Sequence, residues 1–213
     1  MREFLLDRIR LVRELLESDI EIAHSDIGLI LCSVLSACAA ERWPGRGIDR
    51  ARFIELLVRC SPADMHADWI CVPALIVNGY VDEADTPYGP TDSGHSTRIF
   101  RDNEIDLDLT ACQSTYPNVS VRDCKSCSYA ALIYGWLRCG YAHQYSPHTN
   151  ISHYPPSRHN ARVSYIGRTT RTGGITRMVS FHLDYLIAVT KYHADNVAAS
   201  HQNAPSEWWI NAS

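Results

Sequence analysis

The chain has 213 residues, of which 46% are hydrophobic and 21% are charged, and its formal net charge at pH 7 is −4. This balance excludes an intrinsically disordered protein, because enough apolar side chains are present to build a core. The negative charge also argues against a protein that binds nucleic acid by bulk electrostatic attraction, although a local basic patch is compatible with it.

The first predicted helix lies at the N-terminus. Residues 3–17 place Leu5, Ile9, Val12 and Leu16 at spacings of four, three and four, with Arg and Glu residues between them. This spacing predicts an amphipathic helix with one apolar stripe. The charged residues interrupt the apolar centre that a signal peptide needs, so we expect a cytoplasmic protein.

Further helices are predicted in the first half of the chain. Residues 25–42 are apolar nearly all round, which predicts a deeply buried helix. The longest apolar run in it, 27–40, is too short to span a bilayer, so no membrane segment is expected. A third helix is predicted over 50–60. The next segment, 63–77, begins as a helix, but Pro73 leaves its second half unassigned.

The second half of the chain alternates between irregular and regular segments. Residues 78–121 are rich in Gly, Pro, Asp, Ser and Thr without sustained periodicity, which predicts a long irregular insert. Short helical turns or strands within it, or a mobile cover over a site, are both compatible with this composition. A central helix is predicted over 123–145, followed by a Pro- and His-rich loop. Two alternating runs joined by a Gly-containing loop predict a β-hairpin at 161–181. The last helix is predicted over about 180–200, and residues 204–213 are expected to form a loosely held tail. 

These elements predict a single, mainly α domain over residues 1–203, with the β-hairpin inserted before the last helix.

The central helix ends in a segment where Arg138 precedes His143 by five positions, with Gly140 between them. On a straight α-helix the two side chains would lie about 140° apart and roughly 7.5 Å along the axis. Gly140 therefore indicates a closely packed neighbouring helix or a bend, and a second copy of the chain could also complete the pair. The alternative interpretation involves no catalysis: Arg138 interacts favourably with the dipole at the helix C-terminus, and His143 packs against a neighbouring residue.

The segment Leu137-Arg138-Cys139-Gly140-Tyr141-Ala142-His143 resembles the Arg-x4-6-His motif of HEPN domains, helical proteins found as toxins, anti-phage effectors and RNA-processing factors. The resemblance implies a HEPN-like helical bundle and a homodimer with both motifs near its axis. It also implies metal-independent endoribonuclease activity without a cofactor, with Arg138 and His143 as the catalytic pair. A toxin of this kind would have an antitoxin protein as its partner.

The residue types near this pair suit cleavage of RNA through its own 2′-hydroxyl. Imidazole accepts and donates protons at neutral pH, and a guanidinium fork matches phosphate oxygens. Tyr141 and Tyr145 are candidates to stack on a base or hold the His ring, and Gln144 is a candidate to bond a phosphate. Cys139 stands where the family often has a polar residue, commonly Asn. It favours the alternative function, a catalytically inactive HEPN-like module that binds a nucleotide or a partner protein.

Basic residues gather on the predicted hairpin. Arg168, Arg171 and Arg177 lie on it, and Arg158 and Arg162 come just before it. An arginine surface that contacts an RNA backbone is one interpretation. A solvated hairpin face without a ligand is the other.

The chain has eight cysteines, and most lie inside apolar segments. Because nothing marks the chain as secreted, we expect reduced thiols that pack as small hydrophobes. Cys124 and Cys127 have the spacing of half a zinc site. Their available partners, Cys112, His153 and His159, do not supply the second close pair that a structural zinc site needs. No metal is therefore expected, and a small zinc protein is the third alternative.

Overall fold

The structure is a computed structural model that describes residues 1–18, 24–82, 85–86, 99–101, 105–144, 146–154, 162–169, 175–197 and 201–212. Its α-helices are α1 (Arg2–Glu17), α2 (His24–Arg42), α3 (Asp49–Cys60), α4 (Val72–Val77), α5 (Leu109–Thr115), α6 (Val121–Ser126), α7 (Tyr129–Leu132), α8 (Cys139–Gln144) and α9 (Leu183–Asp195). A 3-10 turn covers Ala63–Met65, and a π-helical stretch covers Ile133–Arg138. The strands are β1 (Ile99–Arg101), β2 (Ile151–Tyr154), β3 (Val163–Thr169) and β4 (Ile175–His182). The prediction of a mainly α protein with a β-hairpin before the last helix is confirmed.

The helical core is built around α2, which contacts α1, α3, α9 and the π-helical stretch. Leu31 and Leu35 of α2 are each 1% exposed, as expected for a helix that is apolar nearly all round. On α1, the buried residues are those of the predicted stripe, Leu5, Ile9 and Val12. Each buried aliphatic side chain of this kind contributes about 1.5–3 kcal/mol. No helix in the described part of the chain, α2 included, combines the length and apolarity of a bilayer span.

The predicted bounds of α1, α2 and α3 agree with the observed bounds to within one residue. It did not place α4, because Pro73 lies in the first turn of that helix, where a missing N–H costs nothing. The last helix, α9, begins later than predicted because β4 continues through His182. The ring of His182 holds the strand pair together, since its Nε2 lies 2.6 Å from Oγ of Ser164 on β3.

The predicted hairpin is part of a larger sheet than expected. Strands β3 and β4 pair antiparallel, from Val163 opposite Phe181 to Thr169 opposite Ile175. β1 adds antiparallel to β3, and β2 adds parallel to β4, so the strand order is β1-β3-β4-β2. β1 and β2 were missed because runs of three and four residues are too short to show alternation.

The described part of the predicted insert, 78–121, contains a short strand and a short helix, which is one of the alternatives that its sequence left open. Besides β1, it contains α5, which begins where the backbone N–H of Ala111 donates to the Asp108 carboxylate. A second aspartate, Asp106, is buried and accepts hydrogen bonds from the hydroxyls of Tyr129 and Tyr165. This carboxylate ties the segment before α5 to the motif-bearing half of the chain and to the sheet.

Within the predicted tail, 204–213, described residues are tied to the core by hydrogen bonds. The backbone N–H of Trp209 donates to the Glu55 carboxylate at 2.7 Å. The Lys125 ammonium donates to the carbonyl oxygens of Trp209 and Ala212 at 2.9 and 2.7 Å. Both charged groups are buried, so the segment gains hydrogen-bond partners that its own sequence does not reveal.

The predicted central helix over 123–145 is divided. Helix α6 ends at Ser126, and a new helix starts at Tyr129 after a cap by Ser128, whose Oγ accepts from the backbone N–H of Ala131. The break exists because Cys127 and Ser128 pair with another segment. The carbonyl of Cys127 accepts from the backbone N–H of Cys71, and Ser128 forms a β-bridge with Ile70.

Candidate functional site

The Arg–His pair lies on a helix that runs from residue 129 to residue 144 and consists of α7, the π-helical stretch and α8 (the motif helix). The π geometry ends where the backbone N–H of Cys139 bonds to the carbonyl of Tyr134, five residues earlier. Such π turns are rare and occur frequently at functional sites. Arg138 is the last residue of the π stretch, and α geometry resumes with the next residue.

Tyr141 fixes the rotation of α8 about its own axis. Its side chain is 2% exposed and its ring packs on Gly28 of α2, where an added Cβ would lie 2.7 Å from Cε2 of the ring. Burial raises the pKa of the Tyr141 phenol above its usual range. The ring therefore faces the core, and the expected supporting role of stacking on a base does not fit this position.

Gly140 is required by the chain that follows the motif helix. A Cβ at this position would lie 2.5 Å from the carbonyl oxygen of Ser146 and 3.0 Å from Cα of Pro147. The sequence suggested a close-packed neighbouring helix or a bend, and the close neighbour is instead the backbone of this loop. Tyr141 and Gly140 thus hold α8 from two sides.

His143 points away from the core as a consequence. Two residues after Tyr141, its side chain lies about 160° around the helix from that anchor. The side chain is exposed, as is that of Gln144, and it has no hydrogen-bond or ion-pair partner in the part of the chain that the structure describes. An accessible imidazole at a rigid position is suited to proton transfer with a bound substrate.

Arg138 lies on the flank of the motif helix and is half-buried. Its guanidinium carbon is 5.4 Å from the ring centroid of Tyr134, one turn earlier, which is cation–π distance. It also borders a cavity of about 50 Å³ that the ion pair between Asp49 and Arg52 lines from α3. Space of this size accommodates a water molecule or one oxygen of a larger ligand.

Helix geometry directs Arg138 and His143 of one chain to different sides of the motif helix. With α geometry from Cys139 onward, they stay about 140° apart and roughly 7.5 Å along the axis. Cys139 itself is half-buried beside Tyr134. Burial, with the nearby Cys139 thiol as a second cause, raises the pKa of the Tyr134 phenol. Tyr145, the remaining supporting residue, lies outside the described residues.

The predicted arginine surface is only partly described. Arg168 lies on β3 opposite Thr176, and Arg177 lies on β4 opposite Gly167. Arg171 lies outside the described residues, as does Arg158. Arg162 precedes β3, and its guanidinium donates to the carbonyl of Asp64 at 2.7 Å, so this arginine binds the protein's own backbone.

The cysteines are free thiols, and six of the eight are buried, in agreement with the prediction of reduced core cysteines. Sγ of Cys124 lies 3.5 Å from Sγ of Cys112. Burial raises the pKa of Cys127 to about 12. Among the described residues there is no group of three or more His, Cys, Asp or Glu side chains placed to hold a metal ion.

A larger cavity of about 880 Å³ was not anticipated from the sequence. It is lined by residues from four places in the chain: the start of α3, the end of α4, the start of α6 and the segment at 210–212. Arg50, Tyr80 and Arg122 are among the lining residues. These residues come from distant parts of the chain and form no motif, so no sequence signal could have grouped them.

None of the protein-family models, curated proteins or solved structures compared with the chain matches it. The function is therefore inferred from the residues themselves.

Proposed function

We propose that the protein is a metal-independent endoribonuclease of HEPN type, in which Arg138 and His143 are the catalytic residues. The observation that carries the proposal is the position of His143. It is exposed and without a partner among the described residues, on a helix that Tyr141 and Gly140 hold in place. Arg138, just over one turn earlier, supplies the cation that an RNA phosphate requires.

The active unit in this proposal is a homodimer. On one helix the two side chains diverge by about 140°, so they point to different sides of it. A second copy related by a two-fold axis supplies the missing half, so that Arg138 of one chain faces His143 of the other. Two equivalent sites then form, one for each pairing.

The proposed reaction is an internal transfer of the phosphate. The His143 imidazole takes the proton of the ribose 2′-hydroxyl, and that oxygen attacks the adjacent phosphorus. The Arg138 guanidinium donates hydrogen bonds to the non-bridging oxygens, where negative charge develops. The bond from phosphorus to the 5′ oxygen breaks, and that oxygen takes a proton from solvent. The products are a 2′,3′-cyclic phosphate and a free 5′-hydroxyl.

A ribonuclease with such an accessible site would act in the cell as a toxin or a defence effector, restrained by an antitoxin protein. RNA would be held along the arginines of the hairpin, Arg168, Arg171 and Arg177, where a basic strand pair follows the phosphate backbone. Expression without a restraining partner should then slow the growth of the host cell, and His143→Ala should relieve this effect.

Cleavage is tested with purified protein and single-stranded RNA in EDTA. We expect cuts that leave 2′,3′-cyclic phosphate ends, and we expect Arg138→Ala and His143→Ala each to abolish them without changing the circular dichroism spectrum. Arg46→Ala is the matched control, since Arg46 is an exposed arginine outside the motif helix. Wild-type protein as inert as both variants on diverse RNAs would contradict the proposal.

One observation favours the second candidate, a catalytically inactive HEPN-like module that binds a nucleotide or a partner protein. The Arg138 guanidinium lies on the ring of Tyr134, and Cys139 takes the position that is commonly polar in the family. If this contact restrains Arg138, Tyr134→Leu should release it. Gain of cleavage in that variant would identify the wild-type protein as a restrained nuclease and not as a binding module.

A further inference from the structure

The cavity of about 880 Å³ lies apart from the Arg–His motif and shares no lining residue with it. Its size falls within the range of sites that hold small organic ligands, about 300–1,000 Å³. The lining is mixed, with two arginines, a tyrosine and the side chains of Asp123, Ile210 and Asn211 among its residues. Such a lining indicates a ligand with both a charged and an apolar part.

The charge of the cavity is opposite to that of the whole chain. Arg50 and Arg122 are both exposed, and within the described ranges neither has a hydrogen bond or an ion pair. Asp123, the acidic residue in the lining, already accepts a hydrogen bond from the Ser120 hydroxyl at 2.6 Å. Two free guanidinium groups in a chain of net charge −4 favour an anionic ligand, and their forked donors match phosphate oxygens.

Tyr80 adds a flat ring at a fixed place. Its side chain is 41% exposed although it borders the cavity, so a face of the ring is available for stacking. Its backbone N–H bonds to the carbonyl of Leu75 at 2.9 Å, and Gly79 before it has a φ of 72°. These are the features of a Schellman cap at the end of α4, which fixes the direction in which the chain leaves the helix.

The opposite wall is also anchored. The buried Lys125 ammonium donates to the carbonyls of Trp209 and Ala212 and lies 5.1 Å from the ring centroid of Trp209. Ile210 and Asn211, which lie between these two residues in the chain and line the cavity, are thereby held in place. The cavity opens at the surface, with one side formed by a segment that hydrogen bonds anchor to the core.

We propose that this cavity binds a nucleotide, with the phosphate on Arg50 and Arg122 and the base stacked on Tyr80. This site is separate from the proposed ribonuclease site. Nucleotide binding here is therefore independent of RNA cleavage, and His143→Ala should leave the affinity for the nucleotide unchanged.

Calorimetric titration with AMP, inorganic phosphate and adenosine at low salt tests the proposal. AMP should bind more tightly than either fragment. Arg50→Ala and Arg122→Ala should each weaken AMP binding about tenfold or more, because each removes a charged donor to phosphate. Tyr80→Ala should weaken it roughly tenfold, whereas Tyr80→Phe should retain it, since stacking needs the ring and not the hydroxyl.

Arg46→Ala is the control for a general loss of positive charge, because Arg46 is an exposed arginine outside the cavity. Its AMP affinity should equal that of wild type, and thermal melting should show all six variants folded. The proposal is overturned if AMP does not bind at millimolar concentration, or binds no more tightly than inorganic phosphate. It is equally overturned if Arg46→Ala weakens binding as much as Arg50→Ala does.

Discussion

The ring of Tyr141 packs on Gly28 of α2 so closely that a methyl group on the glycine would lie 2.7 Å from Cε2 of the ring. This contact joins the motif helix to the centre of the helical core. It also determines which way the catalytic candidates point, because His143 lies about 160° around the helix from the anchored ring. The orientation of the proposed site is thus set by a glycine more than a hundred positions away in the sequence.

Gly28→Ala should destabilise the fold by about 1–3 kcal/mol, because the buried ring has no room to move away from the new methyl group. Tyr141→Leu removes the ring and should relieve the clash. In urea denaturation, the double variant should therefore lose at least about 1 kcal/mol less than the sum of the two single variants. Strictly additive losses would show that the two residues do not press on each other.

Two glycines of the motif helix form a matched pair. Gly140→Ala places a Cβ 2.5 Å from the backbone oxygen of Ser146 and should destabilise by about 1–3 kcal/mol. Gly135 is exposed, and an added Cβ there meets nothing within 4 Å. Gly135→Ala should therefore stabilise by about 0.5–1 kcal/mol, through helix propensity alone. Denaturation midpoints that move in the same direction for both variants would refute this assignment.

Asp106→Ala should lower the free energy of unfolding by about 3 kcal/mol or more. It deprives the buried hydroxyls of Tyr129 and Tyr165 of a shared acceptor, and each such hydrogen bond lost in the core costs about 1–3 kcal/mol. Asp108→Ala is the control, since this exposed residue caps α5 and its loss costs about 1 kcal/mol. Equal losses would mean that Asp106 is no more than a second helix cap.

Acid should destabilise the protein through His193. Its side chain is 3% exposed, and burial, with Arg42 as a second cause, lowers its pKa to about 4. The unfolded chain takes up the proton near pH 6.5, so stability falls as the pH drops from about 6.5 toward 4, by roughly 3 kcal/mol in all. His193→Gln should lose this part of the pH dependence. An unchanged slope in that variant would assign the acid sensitivity to other groups.

Local patterns were enough to predict the first three helices and the hairpin. The stripe of Leu5, Ile9 and Val12 and the alternation in β3 and β4 are visible in short windows of sequence. The signal for Tyr141 was also present, since it follows the fully buried Leu137 by four positions and so shares its face. Helical spacing thus distinguishes this core residue from a base-stacking one.

The missed features depend on partners far away in the sequence. The helix break before Tyr129 requires Ile70, which bridges to Ser128. The ordered segment at 201–212 requires Glu55 and Lys125 to bind its backbone. Neither a break nor an anchored tail is encoded in the composition of its own segment, and the cavity between these elements could not be predicted for the same reason.

The central claim is that Arg138 of one chain and His143 of its partner act on the same phosphate. It is tested most directly by mixing inactive Arg138→Ala and His143→Ala chains under conditions that let subunits exchange, and then measuring RNA cleavage in EDTA. Half of the dimers would contain one chain of each kind, and each of these would have one intact site, so about a quarter of the wild-type activity should return. A mixture as inactive as either variant alone, while the wild type cuts RNA, would contradict the composite site.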